Sequence, residues 1–373
     1  MEKFEIIIPT LFGLEAIVAR EVKRLGYETT AVEDGRVIFM GDWEAVCRVN
    51  LWSRCGERVL IKAAEFTAVT FEELFQGTKS VEWERFIGKN DAFPVKGYSL
   101  KSQLASVRDC QAIIKKAAAE RLSQKYGIEW LPEDGATYQI QFRIMKDNVT
   151  LMIDTSGEPL HKRGYRAHSN AAPLRETLAA AMADLSRWKF EYPLCDPFCG
   201  SGTIPIEAAM MKQNIAPGLM RKFAFDAFPQ ISETVKKAAR EEAASKKRDL
   251  PLRIYASDID ADCAALTAKN AKKAGVDEYI TTSVCDARKI SFDASNGTII
   301  CNPPYGERLG RIKECEQLYR EIGRIFTSLD NWSYFILTSN ENFERLFGKK
   351  ADKRRKLYNG MLKCNLYQYF QKR

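Results

Sequence analysis

The chain reads as an α/β protein: a parallel sheet with helices on both faces, closed by an antiparallel hairpin and preceded by an α+β region. Three observations predict this. From residue 192 onward, short apolar runs alternate with amphipathic helical stretches, the rhythm of a parallel sheet with crossover helices. Near the end, Asn359-Gly360 separates two apolar runs, a strong hairpin signal. Residues 4–66 carry most of a β-α-β-β-α-β order, the ferredoxin-like pattern.

The elements follow in order. Phe4-Glu-Ile-Ile-Ile8 is a strand stopped by Pro9, and residues 13–25 place Leu14, Ile17, Val18, Val22 and Leu25 at helical spacing before Gly26. A short strand covers 37–40, a helix 43–52 and a strand 57–66. Residues 70–87 read as a helix, 94–100 as a strand, 107–126 as a long amphipathic helix, and 136–144 and 148–154 as two strands. In the second half, helices are expected over 173–188 (Pro173 near its start), 203–213, 230–247, 260–274, 314–329 and 341–347. Strands are expected near 192–196, 253–258, 279–285, 297–301 and 333–338, then at 356–358 and 361–370. The boundary between halves falls at Gly157-Glu158-Pro159, followed by a basic connector, His161–Arg166. The expected regions are 1–66 (ferredoxin-like), 67–156, a connector 157–172, and 173–373.

Composition narrows the chemistry. The chain has 373 residues, 45% hydrophobic and 28% charged, enough apolar material for sizeable cores. No apolar run approaches the ~20 residues that span a bilayer, and the first residues lack a signal-peptide core, so a cytoplasmic protein is expected. Two histidines, His161 and His168, cannot build a multi-histidine metal site, and none of the ten cysteines is spaced Cys-x-x-Cys. No metal is expected, and the cysteines read as reduced, buried apolar residues. Charge is uneven: residues 1–160 carry 21 basic and 24 acidic side chains, whereas the remainder is at +11. Residues 345–373 hold ten basic side chains against one acid, Asp352. Any single run of this kind is ordinarily a solvated face, but several in one half point to a polyanion such as nucleic acid.

Four motifs sit at successive strand ends. Asp196-Pro-Phe-Cys-Gly-Ser-Gly-Thr203 follows a strand and opens a helix, where glycines let a ligand approach free amides. A dinucleotide fingerprint would need glycine at 205, where Pro205 stands, which disfavours a dehydrogenase. In Ser257-Asp-Ile-Asp260, Asp258 can accept both hydroxyls of a ribose, or, like Asp260, cap the next helix. Asp286 of Cys285-Asp-Ala287 can accept from an exocyclic amine, although a strand-end Asp is more often a turn residue. The sharpest is Asn302-Pro-Pro-Tyr305: the Asn302 side-chain oxygen and the Pro303 carbonyl offer two acceptors for one NH2 group, and Tyr305 an aromatic face for a base. The commonplace alternative is a proline-rich turn with a packed tyrosine.

Taken together these motifs resemble those of a class I S-adenosylmethionine-dependent amino-methyltransferase. The first half is similar to THUMP-containing RNA methyltransferases, through Ile153-Asp-Thr-Ser-Gly-Glu-Pro-Leu-His-Lys-Arg-Gly-Tyr-Arg166 and Ala172-Pro-Leu-Arg-Glu-Thr-Leu-Ala179. Both stretches are typical of the bacterial large-subunit rRNA guanine-N2 methyltransferase group, in a form with one methyltransferase domain. The resemblance implies a Rossmann-like, seven-stranded methyltransferase domain with a C-terminal antiparallel hairpin, behind a ferredoxin-like and THUMP region, the latter over 67–156. It implies S-adenosyl-L-methionine as cofactor. Contacts to it would come from Thr177, Asp196, Phe198, Cys199, Gly200, Ser201, Gly202, Thr203, Asp258, Ile259, Asp286, Ala287 and Asn302. Asn302, Pro303, Pro304 and Tyr305 would form the catalytic motif, with Asn302 and Pro303 holding the target amine and Tyr305 against the base. RNA, in particular large-subunit rRNA, would meet Lys96, Lys101, Arg108, Lys115 and Lys116, and Lys162, Arg163, Tyr165 and Arg166 of the connector. Two competing readings are an adenine-N6 methyltransferase on DNA or RNA, and an RNA-binding or ribosome-assembly factor with an idle pocket. The basic segment 214–250 is read as a possible substrate-binding insert.

Overall fold

The computed structural model describes residues 2–166, 174–292, 294–306 and 312–371. His168, Pro173 and the later part of the connector, 167–172, lie outside them. The first half runs β1 (Phe4–Pro9), α1 (Glu15–Arg24), β2 (Thr29–Glu33), β3 (Arg36–Gly41), α2 (Trp43–Trp52), β4 (Leu60–Thr67), α3 (Phe71–Lys79), β5 (Val95–Leu100), α4 (Val107–Tyr126), β6 (Ile140–Met145) and β7 (Asn148–Asp154). Its seven strands form one sheet in the order β2-β3-β1-β4-β7-β6-β5. The two regions expected to be separate therefore share a sheet. Their seam is an antiparallel pairing from Leu60↔Asp154 to Thr67↔Asn148, with one irregularity between Lys62 and Ala64.

Two expectations need correction here. β2, which completes the β-α-β-β-α-β order, is a strand not foreseen; no residue of Thr29–Glu33 is buried, so it carries little apolar signal. The helix expected over 70–87 stops at Lys79. Its start is held by a capping box between Thr70 and Glu73. Beyond its end the chain turns so that Trp83 is buried with its indole N–H donating to the Thr78 carbonyl at 2.9 Å.

The second half continues with α5 (Glu176–Ser186), β8 (Leu194–Asp196), α6 (Thr203–Lys212), α7 (Glu233–Ser245), β9 (Ile254–Asp258), α8 (Ala261–Ala274), β10 (Ile280–Val284), β11 (Gly297–Cys301), α9 (Ile312–Ser328), β12 (Trp332–Thr338), α10 (Phe343–Phe347), β13 (Lys353–Asn359) and β14 (Leu362–Tyr369). The sheet order is β10-β9-β8-β11-β12-β14-β13. β8 to β12 pair in parallel, and β14 and β13 close the edge antiparallel. The order reverses beside β8, the point at which sheets of this kind open a crevice at the carboxyl ends of their strands. β11 is buried at all five positions, as a strand covered on both faces must be.

The segment 214–250 is not a loose insert. Phe228 stacks on Tyr138 at 4.0 Å between ring centres, Gln230 donates to the Phe86 carbonyl, and Arg48 pairs with Glu242 at 2.9 Å. Arg221 donates to the carbonyls of Pro159, at 2.6 Å, and of Lys162, at 3.1 Å. This segment fastens the second sheet's domain to the first half and to the connector. All ten cysteines are free thiols. Among the described residues, no helix is long and apolar enough to cross a membrane.

Candidate active site

The loop after β8 is shaped by two glycines. Gly200 has φ +54°, and a Cβ built there would meet no atom of the described residues within 4 Å. Gly202, the N-cap of α6, has φ +81°, and a Cβ there would lie 2.8 Å from Thr267 on α8, so close packing also demands glycine. The loop is pinned from below. The Gly200 amide donates to Asp258 Oδ2 at 2.9 Å, Thr267 donates to the Gly200 carbonyl at 2.9 Å, and Asn270 donates to the Ser201 carbonyl at 2.8 Å.

Asp196 is buried and accepts from the Phe198 amide at 3.1 Å. Burial, reinforced by the charge of Asp258, pushes its carboxyl well above the usual range. Asp258 also accepts from the Asp260 amide at 3.1 Å, and Asp260 caps α8 through the Asp262 amide at 2.9 Å. Asp286 accepts from the Arg288 amide at 2.9 Å and takes the Arg288 guanidinium at 2.6 Å. The Arg288 bond holds the Asp286 carboxyl below the usual range. Pro197, Phe198, Ile259, Asp286, Arg288 and Leu318 are among the walls of a cavity of about 340 Å³. Ile259 is 66% exposed there, an apolar side chain only partly covered that suits the face of a flat ring. Ala287, by contrast, is buried.

The Asn302-Pro-Pro-Tyr305 turn leaves the end of β11. Pro303 is buried, Pro304 exposed, and Asn302 and Tyr305 half-buried. The Tyr305 hydroxyl donates to Asn302 Oδ1. Tyr319 on α9 donates to the Pro304 carbonyl at 2.7 Å and lies 3.0 Å from the Thr338 hydroxyl, which fixes the turn against β12. An oxygen with two lone pairs keeps one for a further donor, so the bond from Tyr305 orients Asn302 without exhausting it.

Several expected contacts are placed elsewhere. Arg163 and Tyr165 are in the interior, 2% and 0% exposed, and so are not available to RNA. Arg163 pairs with Glu207 on α6 at 3.4 Å and donates to the carbonyls of Leu160, at 2.8 Å, and Arg54; Tyr165 donates to Glu207 at 3.1 Å. Arg166 is turned toward the glycine loop, donating to Thr203 Oγ1 at 2.6 Å and pairing with Glu176 at 3.3 Å, and its buried Nε has no acceptor among the described residues. The Thr177 hydroxyl is given to Glu57 Oε1 at 2.8 Å. Cys199 is buried against Thr267 at 3.4 Å. Lys115 pairs with Glu133 at 2.5 Å and lies 3.4 Å from the centre of the Phe93 ring. Lys96, Lys101, Arg108 and Lys116 are exposed on β5, the turn after it and α4; Lys162 is exposed and paired with Glu158. Glu57 was not foreseen. It gathers Thr177, Arg175 at 3.3 Å and His161 at 3.7 Å across the seam between the halves, a tertiary relation with no local signal.

Comparison with known proteins accords with this arrangement. Residues 163–368 match the RMKL-like methyltransferase domain, residues 5–60 the RlmL ferredoxin-like domain and residues 68–154 the THUMP domain. "Putative RNA methyltransferase YpsC" of Bacillus subtilis (strain 168) is 47% identical over 100% of this chain and 97% of its own length. The ribosomal RNA large subunit methyltransferase K/L of Psychromonas ingrahamii is 35% identical over 97% of this chain, which spans about half (49%) of that larger protein. Among solved structures, SMU.472 complexed with SAH superposes with a TM-score of 0.94 at 41% identity, covering 100% of this chain and 99% of that one. A Listeria monocytogenes protein described as a predicted N6-adenine-specific DNA methylase gives 0.94 at 46%, covering 100% and 97%. The chain belongs to the RMKL-like methyltransferase family, in the form that carries a ferredoxin-like and a THUMP domain ahead of the methyltransferase domain.

Proposed function

We propose that this protein methylates an exocyclic amine of an RNA base, guanine N2 of large-subunit rRNA, with S-adenosyl-L-methionine as donor. The observation that carries the reading is the set of strand ends along one sheet edge. Asp196 and Asp258 end β8 and β9, Asp286 follows β10, and Asn302 with Pro303 follows β11. The uncrowded Gly200, the exposed Ile259 and the cavity beside Asp286 fit a ligand with a ribose and a flat ring.

The cofactor supplies a methyl group on a positively charged sulfur. Asp258 holds ribose hydroxyls, and Asp286 accepts from the adenine amine while Arg288 keeps it ionised. Asn302 Oδ1 and the Pro303 carbonyl accept from the two N–H bonds of the target amine. As the nitrogen becomes tetrahedral and positive, these acceptors stabilise the charge. Orientation of the amine supplies much of the rate. The proton then leaves toward solvent on the side of the exposed Pro304. The target base must be unpaired or flipped out to reach this turn.

The test is incubation with labelled S-adenosylmethionine and unmodified large-subunit rRNA, followed by digestion to nucleosides. Label is expected in N2-methylguanosine and absent with Asn302→Ala. Label in N6-methyladenosine, on RNA or on DNA offered in parallel, would move the target while keeping the site. RNA binding without transfer, also on ribosome-assembly intermediates, would favour a binding factor.

A further inference from the structure

A second site is built on the far side of the methyltransferase domain, at the opposite ends of α5 and α6 from the glycine loop. α6 has ten residues, which at 1.5 Å per residue sets the two places roughly 15 Å apart. A cleft of about 990 Å³ opens there. Arg20 and Arg24 of α1 line one wall, Arg187 and Lys212 stand at the ends of α5 and α6, and Arg248, Lys353 and Arg355 complete it. Asp184 is the one carboxylate among the described lining residues, and Arg20 pairs with it. Arg24, Arg187, Arg248 and Lys353 are exposed, and none is in salt-bridge contact with a described carboxylate.

Two ordinary explanations account for only part of this. Cations collect at helix C-termini, and Arg24, Arg187 and Lys212 occupy such ends. Each end carries about half a negative charge, so three ends offset roughly 1.5 of a formal surplus of six, leaving more than four. Basic residues also blunt exposed strand edges, and β13 is the edge strand of its sheet. Along β13, however, Arg354 is paired with Glu344, while its neighbours Lys353 and Arg355 point to the other face, into the cleft.

Beside the cleft lies a smaller cavity of about 250 Å³ that shares Arg24, Asp184, Met211 and Asn214 with it. Its walls include Trp52 and Arg54, and Trp52 Nε1 and Arg54 Nη1 are buried donors with no acceptor among the described residues. Arg54 is 8% exposed. Unmatched donors beside unpaired cations call for a ligand rich in acceptor oxygens. Phe190 and Phe370 also line the cleft, and Phe370 is 39% exposed, a face on which an unpaired base can stack. The two basic runs that the methyl-transfer site does not use, 214–250 and 345–373, send Arg248, Lys353 and Arg355 to this one place.

We propose that this cleft binds the phosphodiester backbone of single-stranded RNA, as an anchor apart from the catalytic mouth; the choice of RNA rests on the function proposed above. The anchor lets a stretch of RNA adjoining the modified nucleotide hold the enzyme in place.

The test is binding of a fluorescein-labelled single-stranded RNA across a salt series. The full chain is compared with the triple variant Arg187→Gln, Arg248→Gln, Lys353→Gln, none of which touches the glycine loop or the Asn302 turn. Each lost phosphate contact flattens the slope of log K against log salt by about 0.7 for single strands. The variant is expected to bind at least tenfold more weakly near 0.1 M salt, with a slope shallower by about 2. Its affinity for SAH and its melting temperature should stay unchanged. Cross-linking of 4-thiouridine RNA to unmutated protein should mark peptides around residues 187, 248 and 353. Equal affinity and slope for variant and parent, or cross-links confined to other surfaces, would overturn the proposal. So would a loss restricted to duplex DNA. Methyl transfer is measured separately: a parent protein that binds RNA here but transfers no methyl would sink the proposed activity and leave the cleft standing.

Discussion

The hydroxyl of Tyr305 donates to Oδ1 of Asn302, three residues back on the same turn. This bond fixes the orientation of the Asn302 amide, on which the proposed grip on the amine depends. Tyr305→Phe keeps the ring and frees the amide to rotate, so transfer should fall by roughly tenfold, the worth of one hydrogen bond. Asn302→Ala removes the acceptor itself and should cost on the order of 10² to 10³ in kcat. SAH affinity, measured by calorimetry, should move little in either variant. Equal losses in both would make Tyr305 more than a positioning residue.

Asp258 holds the Gly200 amide and, in the function proposed, would also hold the ribose. Asp258→Ala removes a charged acceptor from the loop, a loss of about 1.5–3 kcal/mol for one such bond. SAH affinity should fall by roughly 10- to 100-fold or more. Thr267→Val, which loosens the same loop from behind by freeing the Gly200 carbonyl, should produce a smaller loss. If Asp258→Ala bound SAH like the parent, the ribose assignment would fail.

Asp196 gives a pH dependence with a definite sign. Its carboxyl is raised in the fold, by burial first and by Asp258 second. The native state therefore holds a proton that the unfolded chain releases near pH 4. This contribution favours folding at low pH and is lost as pH rises through the raised native value. A ligand ammonium favours the ionised form, so binding should expel the proton and tighten with pH until Asp196 ionises unaided. Calorimetry with SAH in buffers of different ionisation heat should read that proton release, and Asp196→Asn should abolish it. Uptake of a proton, or none in the parent, would exclude this role.

Arg163 and Glu207 form a pair 2% and 0% exposed, joining the connector to α6. Arg163→Ala strands a buried carboxylate and should destabilise the protein by about 3–5 kcal/mol. The double change Arg163→Met, Glu207→Met should recover much of that. Thermal melting checks both, and RNA binding by any folded variant should keep its salt slope, since the guanidinium is buried.

Most of this fold was legible wherever periodicity and turn chemistry agreed. The Asn359-Gly360 hairpin, the long α4 and the alternation after residue 192 are such places. β2 escaped because no position in it is buried. The four strand-end motifs were readable because each is local, a carboxylate or amide at the close of an apolar run. What stayed hidden is tertiary. No spacing rule distinguishes Arg163, drawn inward by Glu207, from Lys162, which stays in water. Glu57 and Thr177 are 120 positions apart, and only the packed halves bring them together.

The seam along β4 has a consequence for how the molecule can come apart. β4 is bonded to β1 on one side and to β7 on the other, so eight residues bind two recognisable modules into one hydrogen-bonded ladder. Severing the chain between them would bare two raw sheet edges, each an invitation to aggregate. The amino-terminal modules thus behave as one mechanical plate. The β5 edge is joined through β6, β7, β4 and β1 to β3, on which α1 packs, and Arg20 and Arg24 of α1 border the rear cleft. A ligand gripping the β5 edge would therefore be held in fixed register with that cleft.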